Sequence, residues 1–429
     1  MNKKPRILMV GRRFWPHGGW DSACALLQQA VSLQRRGLHV EVLTPKYHSS
    51  WPDRTVVREI TVHRSCDAPR RDWSIGKYVR LMGAWIRERA RDMDLIYLDS
   101  PREELLATID ATADRRTAVL VRCLSGDYLS DIRWWQHNRN GKRCLAAANR
   151  AHGIILDHAS IEKELIMLGV DRPKMFRIPI GIQRSLPINP AQRWETRKVL
   201  AQANLDLSTE PDTPVVLCHA AMTELGGVNR LVQVARILLL RFPNLRIWLV
   251  GDGPLRDTIY NNLRAEGVRA SVAIPGSFTD PSDVFRAADC FFQPSDVGLN
   301  YFLPLAISME LPIVSVDSVQ IRQSLDAACE DAEGAGHARQ VPSDLGLPVD
   351  PVHSSLLSGN GEEPSGFLAW CDADSPKSIK EAMISVLTAM PKAKLRAQKL
   401  RELMMKRRSE NHCLDALTAA IHRLSTNPL

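Results

Sequence analysis

Short runs dominated by apolar residues alternate with amphipathic stretches along the whole chain. Residues 7–10, 40–43, 95–98, 118–121 and 153–156 form a first set of such runs, each close to a helix-like segment. Runs of this kind fit strands buried on both faces, and their alternation with helices predicts a parallel sheet covered on both sides. A second set follows at 215–218, 246–250, 271–274, 290–292 and 312–316. Between them, residues 228–241 place Val228, Leu231, Val232, Ala235, Leu238 and Leu239 on one helical face, and Phe242, Pro243 and Asn244 stop the helix. The pattern predicts two doubly wound, Rossmann-like α/β domains of similar size. The first spans residues 1–185 and the second 186–400. A basic, helix-forming tail over 401–429 is expected to cross back to the first domain.

One segment interrupts the pattern. Residues 325–364 hold four prolines, five glycines and eight acids against a single basic residue, which predicts a mobile surface insertion. The chain of 429 residues, 45% hydrophobic and 24% charged, is long enough for two cores and excludes a disordered or membrane-embedded class. Nine cysteines occur without a C-x-x-C pair, so a zinc or thiol-redox centre has no support, and a reducing compartment fits better than a disulfide framework. No window reaches the apolar length of a membrane span. The opening MNKKPRILMVG has too brief an apolar run for a signal peptide and reads as a first strand. The expected location is cytoplasmic, with contact to a membrane surface as an option.

Charge is uneven. Residues 1–150 carry 27 Lys and Arg against 16 Asp and Glu, whereas the remainder carries 29 against 32. A basic first third suits an anionic partner: a phosphate-bearing acceptor, an acidic lipid surface or nucleic acid. A solvated, arginine-rich surface explains it equally well. With no helix-turn-helix, RNA-binding motif or zinc finger, nucleic acid ranks last.

Several local motifs sharpen the picture. Gly18 and Gly19 lie between the first strand and a helix, where glycine allows close backbone approach and the helix start offers free N–H groups to an anion. Residues 151–182 read as strand, serine-led helix, glycine turn and a second strand ending in IPIGI. Residues 249–255 read LVGDGPL, in which Gly251 and Gly253 allow a tight turn and Asp252 can brace it. Residues 293–314 read QPSDVGLNYFLPLAISMELPIV. These segments resemble the retaining nucleotide-sugar glycosyltransferases of family 4, often called group 1, over nearly the whole chain outside the insertion. The resemblance implies the GT-B architecture, a nucleotide-sugar donor, a glycan or lipid-linked acceptor, and neither a metal nor an organic cofactor. The reaction it implies is hexosyl transfer in polysaccharide or cell-envelope biosynthesis. It places Gly18, Gly19, Gly226, Gly227, Gly251, Asp252, Gly253 and Ser295 at the donor side.

The same resemblance exposes four departures. Where the family has G-R-L-x-x-x-K-G, this chain has AAMTELGG, with Ala221 at the arginine and Gly226 at the lysine. Where the family has E-G-F-G-L-P-x-L-E, Val297 (or Gly298) and Leu305 stand at the two glutamates, and Glu310 stands at a family glycine. Fixed cations normally meet the charge of the leaving diphosphate, and loss of one such group costs on the order of 10²- to 10³-fold in rate. The alternative reading is therefore a non-catalytic relative that binds a ligand or a partner subunit. His219, at a strand end, is a candidate replacement cation or a hydrogen-bonded structural histidine. Asn300 and Tyr301 either bond a sugar or fill its pocket. Arg12 and Arg13 either face the diphosphate or are surface arginines. Asp127, in VRCLSGD, is the candidate acceptor-side base or a helix cap. The patch after it, with Trp134, Trp135, Arg133, Arg139, Lys142 and Arg143, either holds an acceptor or is a packed helix.

Overall fold

The computed structural model describes residues 4–17, 19–124, 130–185, 188–329 and 363–426. Eight strands form the first sheet: β1 (Arg6–Val10), β2 (His39–Leu43), β3 (Arg54–Val57), β4 (Ile60–His63), β5 (Leu95–Leu98), β6 (Ala118–Cys123), β7 (Gly153–Leu156) and β8 (Met175–Arg177). Their order is β3-β4-β2-β1-β5-β6-β7-β8, parallel except for the β3–β4 hairpin. Six strands form the second sheet: β9 (Val215–His219), β10 (Arg246–Val250), β11 (Val272–Gly276), β12 (Cys290–Gln293), β13 (Ile313–Val316) and β14 (Ala369–Cys371). Their order is β11-β10-β9-β12-β13-β14, parallel throughout.

The central strands are buried over nearly their whole length, with Arg6 of β1 and Arg246 of β10 half-buried at their starts. Ile7, Leu8 and Met9 in the first sheet, and Val215, Val216 and Leu217 in the second, expose nothing to solvent. This is why they read as unbroken apolar runs. All ten expected strands are present. Short β8 is the second strand read in residues 151–182, though it stops at Arg177 before IPIGI, and the hairpin β3–β4 and short β14 are additional. Residues of β3 are mostly half-exposed or exposed, as on a sheet edge, so no apolar run marks them.

The helix Glu410–Thr426 buries Leu414, Leu417, Ile421 and Leu424 in the same core as Ile7, Met9 and Leu120 of the first sheet. The chain thus leaves the first domain, builds the second and returns. Leu325 and Asp326 end a helix (Val319–Asp326), with Leu325 fully buried, so the ordered second domain extends into the start of the expected insertion. Residues 330–362 of that insertion lie outside the described residues. Among the described residues, no helix is long and apolar enough to cross a membrane.

Candidate functional site

The C-terminal ends of β9, β10, β12 and β13 bring the loops 219–228, 251–255, 293–302 and 317–318 to one edge of the second sheet. In open α/β sheets this edge takes the ligand. Two of the loops are locked together. Met222 donates its N–H to the Asp252 carbonyl at 3.0 Å, and Leu255 donates to the Met222 carbonyl at 3.0 Å. Gly251 has a φ of 139°, and a Cβ there would stand 2.0 Å from the Ala220 carbonyl oxygen, so only glycine fits. Asp252 accepts the Gly253 N–H at 2.8 Å. The LVGDGPL segment is a brace for the loop after β9.

The neighbouring turn is equally fixed. Ser295 Oγ donates to the Gly226 carbonyl at 3.2 Å and accepts the Val297 N–H at 3.3 Å. Gln293, buried, donates from Nε2 to the Ser295 and Val297 carbonyls at 2.6 and 2.7 Å. Gly226 and Gly227 lie against Ala221 and Pro294, where a Cβ would approach carbonyl oxygens to 1.8 and 2.6 Å. Glu310 has a φ of 55°, which explains the family's glycine at this position. Its carboxylate is held by Arg401 at 2.6 Å.

The first domain enters this edge directly. Asp21, the first residue of the helix Asp21–Arg35, is buried, and its carboxylate accepts the backbone N–H groups of Asn300, Tyr301 and Phe302 at 2.8, 2.7 and 3.0 Å. Gly19 packs so closely on the second domain that a Cβ would meet Ser277 Oγ at 2.4 Å. Arg58 pairs with Asp280 across the same seam. Sequence reasoning missed Asp21. An acid in a helix's first turn is ordinary, and nothing local marks a partner 279 residues away.

The candidate side chains behave differently from one another. His219 is corrected as a replacement cation. It is 1% exposed, its ring lies 3.9 Å from Phe302 and 5.7 Å from Phe285, and neither ring nitrogen has a partner. Burial lowers its pKa to about 3, so it is neutral. Asn300 and Tyr301 are buried side chains, and Tyr301 belongs to the second domain's core. Leu305 is 2% exposed and Ala221 4%. Arg12 is also corrected: Glu103 and Glu104 hold it at 2.6 and 2.7 Å. Arg13 stacks over Trp20 at 3.5 Å. Trp134 and Trp135 are buried, and Trp135 donates Nε1–H to the Pro101 carbonyl at 2.9 Å, as in a packed helix. Gly18, Asp127 and Tyr128 lie outside the described residues.

A cavity of about 310 Å³ stays open beside this closed seam, between the domains. Arg133 enters it from the first domain, and Arg230, Glu224, Asp296, Val297 and Asp317 from the second. Arg230 is aimed by bonds to the Pro294 and Ala373 carbonyls at 2.7 and 3.0 Å. It stands four positions beyond Gly226, on the helix Asn229–Arg241. Cations and carboxylates therefore share one cleft, a composition suited to a polyhydroxyl ligand.

Two parallel α/β domains that meet across a cleft at their strand ends define a protein of the GT-B fold. The family described as "Glycosyl transferases group 1" matches residues 213–334, and the "Glycosyl transferase 4-like domain" matches residues 23–181. The chain belongs to the group 1 glycosyltransferases. A protein of Rhizobium meliloti (strain 1021), the lipopolysaccharide core biosynthesis glycosyltransferase LpsE, is 30% identical over 100 residues, which cover 23% of this chain and 28% of that protein. The match thus spans about a quarter of that relative's length. Anabaena HepE, solved with UDP and glucose, has a TM-score of 0.65 at 14% identity over 99% of this chain and 100% of that one. WaaG, a glycosyltransferase involved in lipopolysaccharide biosynthesis, has a TM-score of 0.63 at 14% identity over 96% and 98%.

Proposed function

We propose that the protein transfers a hexosyl group from a nucleotide sugar to a glycan or lipid-linked acceptor in polysaccharide or cell-envelope biosynthesis. The observation that carries this reading is the 310 Å³ interdomain cavity into which Arg133 and Arg230 project beside three carboxylates. The two guanidinium groups are suited to the charge that develops on a leaving diphosphate, replacing cations absent at Ala221 and Gly226. The roles of LpsE and WaaG in lipopolysaccharide biosynthesis, and the UDP and glucose bound to HepE, support a nucleotide-sugar donor and an envelope-glycan product. Asp127 is the proposed acceptor-side base. The proposed site of action is the cytoplasmic face of an anionic membrane. The exposed Trp73, amid arginine-rich surface of the first domain, supports peripheral contact there.

A specific observation favours a second reading. Asp21 occupies the amides of residues 300–302, and Tyr301, Phe302 and Leu305 are buried around them. A protein held this way resembles a non-catalytic binding subunit. One measurement decides between the two. Purified protein is incubated with UDP-, GDP- and ADP-hexoses, with and without envelope glycan extracts, and nucleotide release is followed. Acceptor-dependent release with any donor supports the transferase. Absence of both release and thermal stabilisation across the panel sinks it; a ligand at 100 times its Kd adds about 2.7 kcal/mol and would be seen.

A further inference from the structure

A second, larger cavity of about 650 Å³ lies in the first domain, between the chain leaving β2 and the chain leaving β4. Its wall includes Arg64, the residue after β4, which is only 2% exposed. The Arg64 guanidinium donates to the Pro52 and Trp15 carbonyls at 3.3 and 3.2 Å and lies 5.0 Å from the centre of the Trp51 ring. Its Nε has no hydrogen-bond partner, and no carboxylate pairs with it among the described residues. Burial therefore pushes the group below its ordinary range with nothing to oppose it. Two neutral carbonyls and an aromatic face hold the group while no carboxylate among the described residues neutralises it, which leaves its charge available to an arriving anion.

The rest of the cavity agrees with that use. Arg70, Arg71 and Lys77 line it from the exposed rim, and no carboxylate pairs with their charged ends among the described residues. Lys46 is already neutralised by Asp53, which leaves Asp67 as the remaining acid of the wall. Trp73, 76% exposed, offers a flat apolar face at the mouth against which a sugar ring can lie. Both strands reach the cavity through their C-terminal ends, the side from which ligands approach such a sheet.

We infer that this cavity binds the oxyanion of a charged acceptor, a sugar bearing a phosphate or a carboxylate, with Arg64 at its floor and Arg70, Arg71 and Lys77 at its rim. That the ligand is an acceptor rests on the transferase reading; that it is an anion does not.

The test is calorimetric titration of the full chain with glucose 1-phosphate, glucuronic acid and glucose. At least one charged probe is expected to bind tenfold or more tighter than glucose, and to weaken as salt rises. The two charged probes distinguish a phosphate from a carboxylate ligand. The double variant Arg70→Ala, Arg71→Ala should weaken binding about tenfold. Arg64→Gln should abolish it, whatever the loss of the bonds to the Pro52 and Trp15 carbonyls does to Tm. A merely structural Arg64 would instead leave affinity intact, which overturns the inference, as does equal binding of glucose or no binding of either charged probe. Nucleotide release is a separate readout. Anion binding without release defeats the transferase reading alone, whereas release with neutral acceptors and no anion binding defeats this inference alone.

Discussion

The carboxylate of Asp21 accepts the backbone N–H of Tyr301 at 2.7 Å, and the two residues belong to different domains. With the Asn300 and Phe302 amides, Asp21 makes three charge-assisted bonds in a buried seam. Hydrogen bonds to a charged group contribute about 1.5–3 kcal/mol when buried. A negative charge of the protein itself thus occupies the amides of the segment where the resemblance expects the donor sugar.

Asp21→Asn keeps the shape and removes that charge. The variant is expected to lower Tm by a few degrees and to open the seam to nucleotide sugars. Its thermal shift with a UDP-sugar should then exceed that of the unchanged protein. Equal shifts in the two proteins, measured by differential scanning fluorimetry, would show that Asp21 does not compete with a ligand.

Stability should fall as pH is lowered from about 6.5 towards 4. Buried His219, with a pKa of about 3, and His17, at about 4, stay neutral in the fold but take up protons when unfolded. The unfolded chain binds more protons in this window, so each group removes up to about 1.4 kcal/mol per pH unit. Their stabilising contribution is present above the unfolded pKa and is lost as pH falls. His219→Leu should raise Tm, since neither ring nitrogen is bonded, and should flatten the slope of unfolding free energy between pH 6 and 4. An unchanged slope in urea titrations would remove His219 from this account.

The fold was legible because its central strands are buried on both faces, which compels near-continuous apolar runs. The edge hairpin β3–β4 escaped because Arg54 and Val56 are exposed and need no apolar partner. The site was legible only as an outline. Gly251 announced a tight turn, and the structure has it, whereas Gly226 read as a missing lysine although a Cβ there would meet the Ala221 carbonyl. The environment of His219 depends on Phe285 and Phe302, more than sixty positions away, so its charge state could not be read locally. Asp21 and Arg64 owe their meaning to partners that are distant or missing.

Restoring the family's lysine at position 226 should fail. A Cβ on Gly226 would stand 1.8 Å from the Ala221 carbonyl oxygen, a contact that demands movement of the loop. Gly226→Ala is therefore expected to destabilise by about 1–3 kcal/mol, the usual range for overpacking. A urea midpoint equal to that of the unchanged protein would show that the loop adapts and that the lost lysine is a simple substitution.

If Arg230 has taken over the lost lysine's work, charge and position at this residue should both matter. Arg230→Ala should lower kcat/KM for the donor about 10²-fold, the usual effect of one stabilising group. Because Arg230 also ties the Pro294 and Ala373 carbonyls, part of any loss will be structural. Arg230→Lys separates the two effects: it keeps the charge, loses the fork, and should recover part of the activity even where Tm stays low. Arg133→Ala offers the complementary case. Its side chain is exposed and lines the same cavity from the other domain, so its removal should leave Tm unchanged. A drop in kcat/KM for Arg133→Ala at constant Tm would mean that the two domains supply one cation each to a shared donor. Full activity in that variant would confine the donor to the second domain and leave Arg230 without a partner across the cleft.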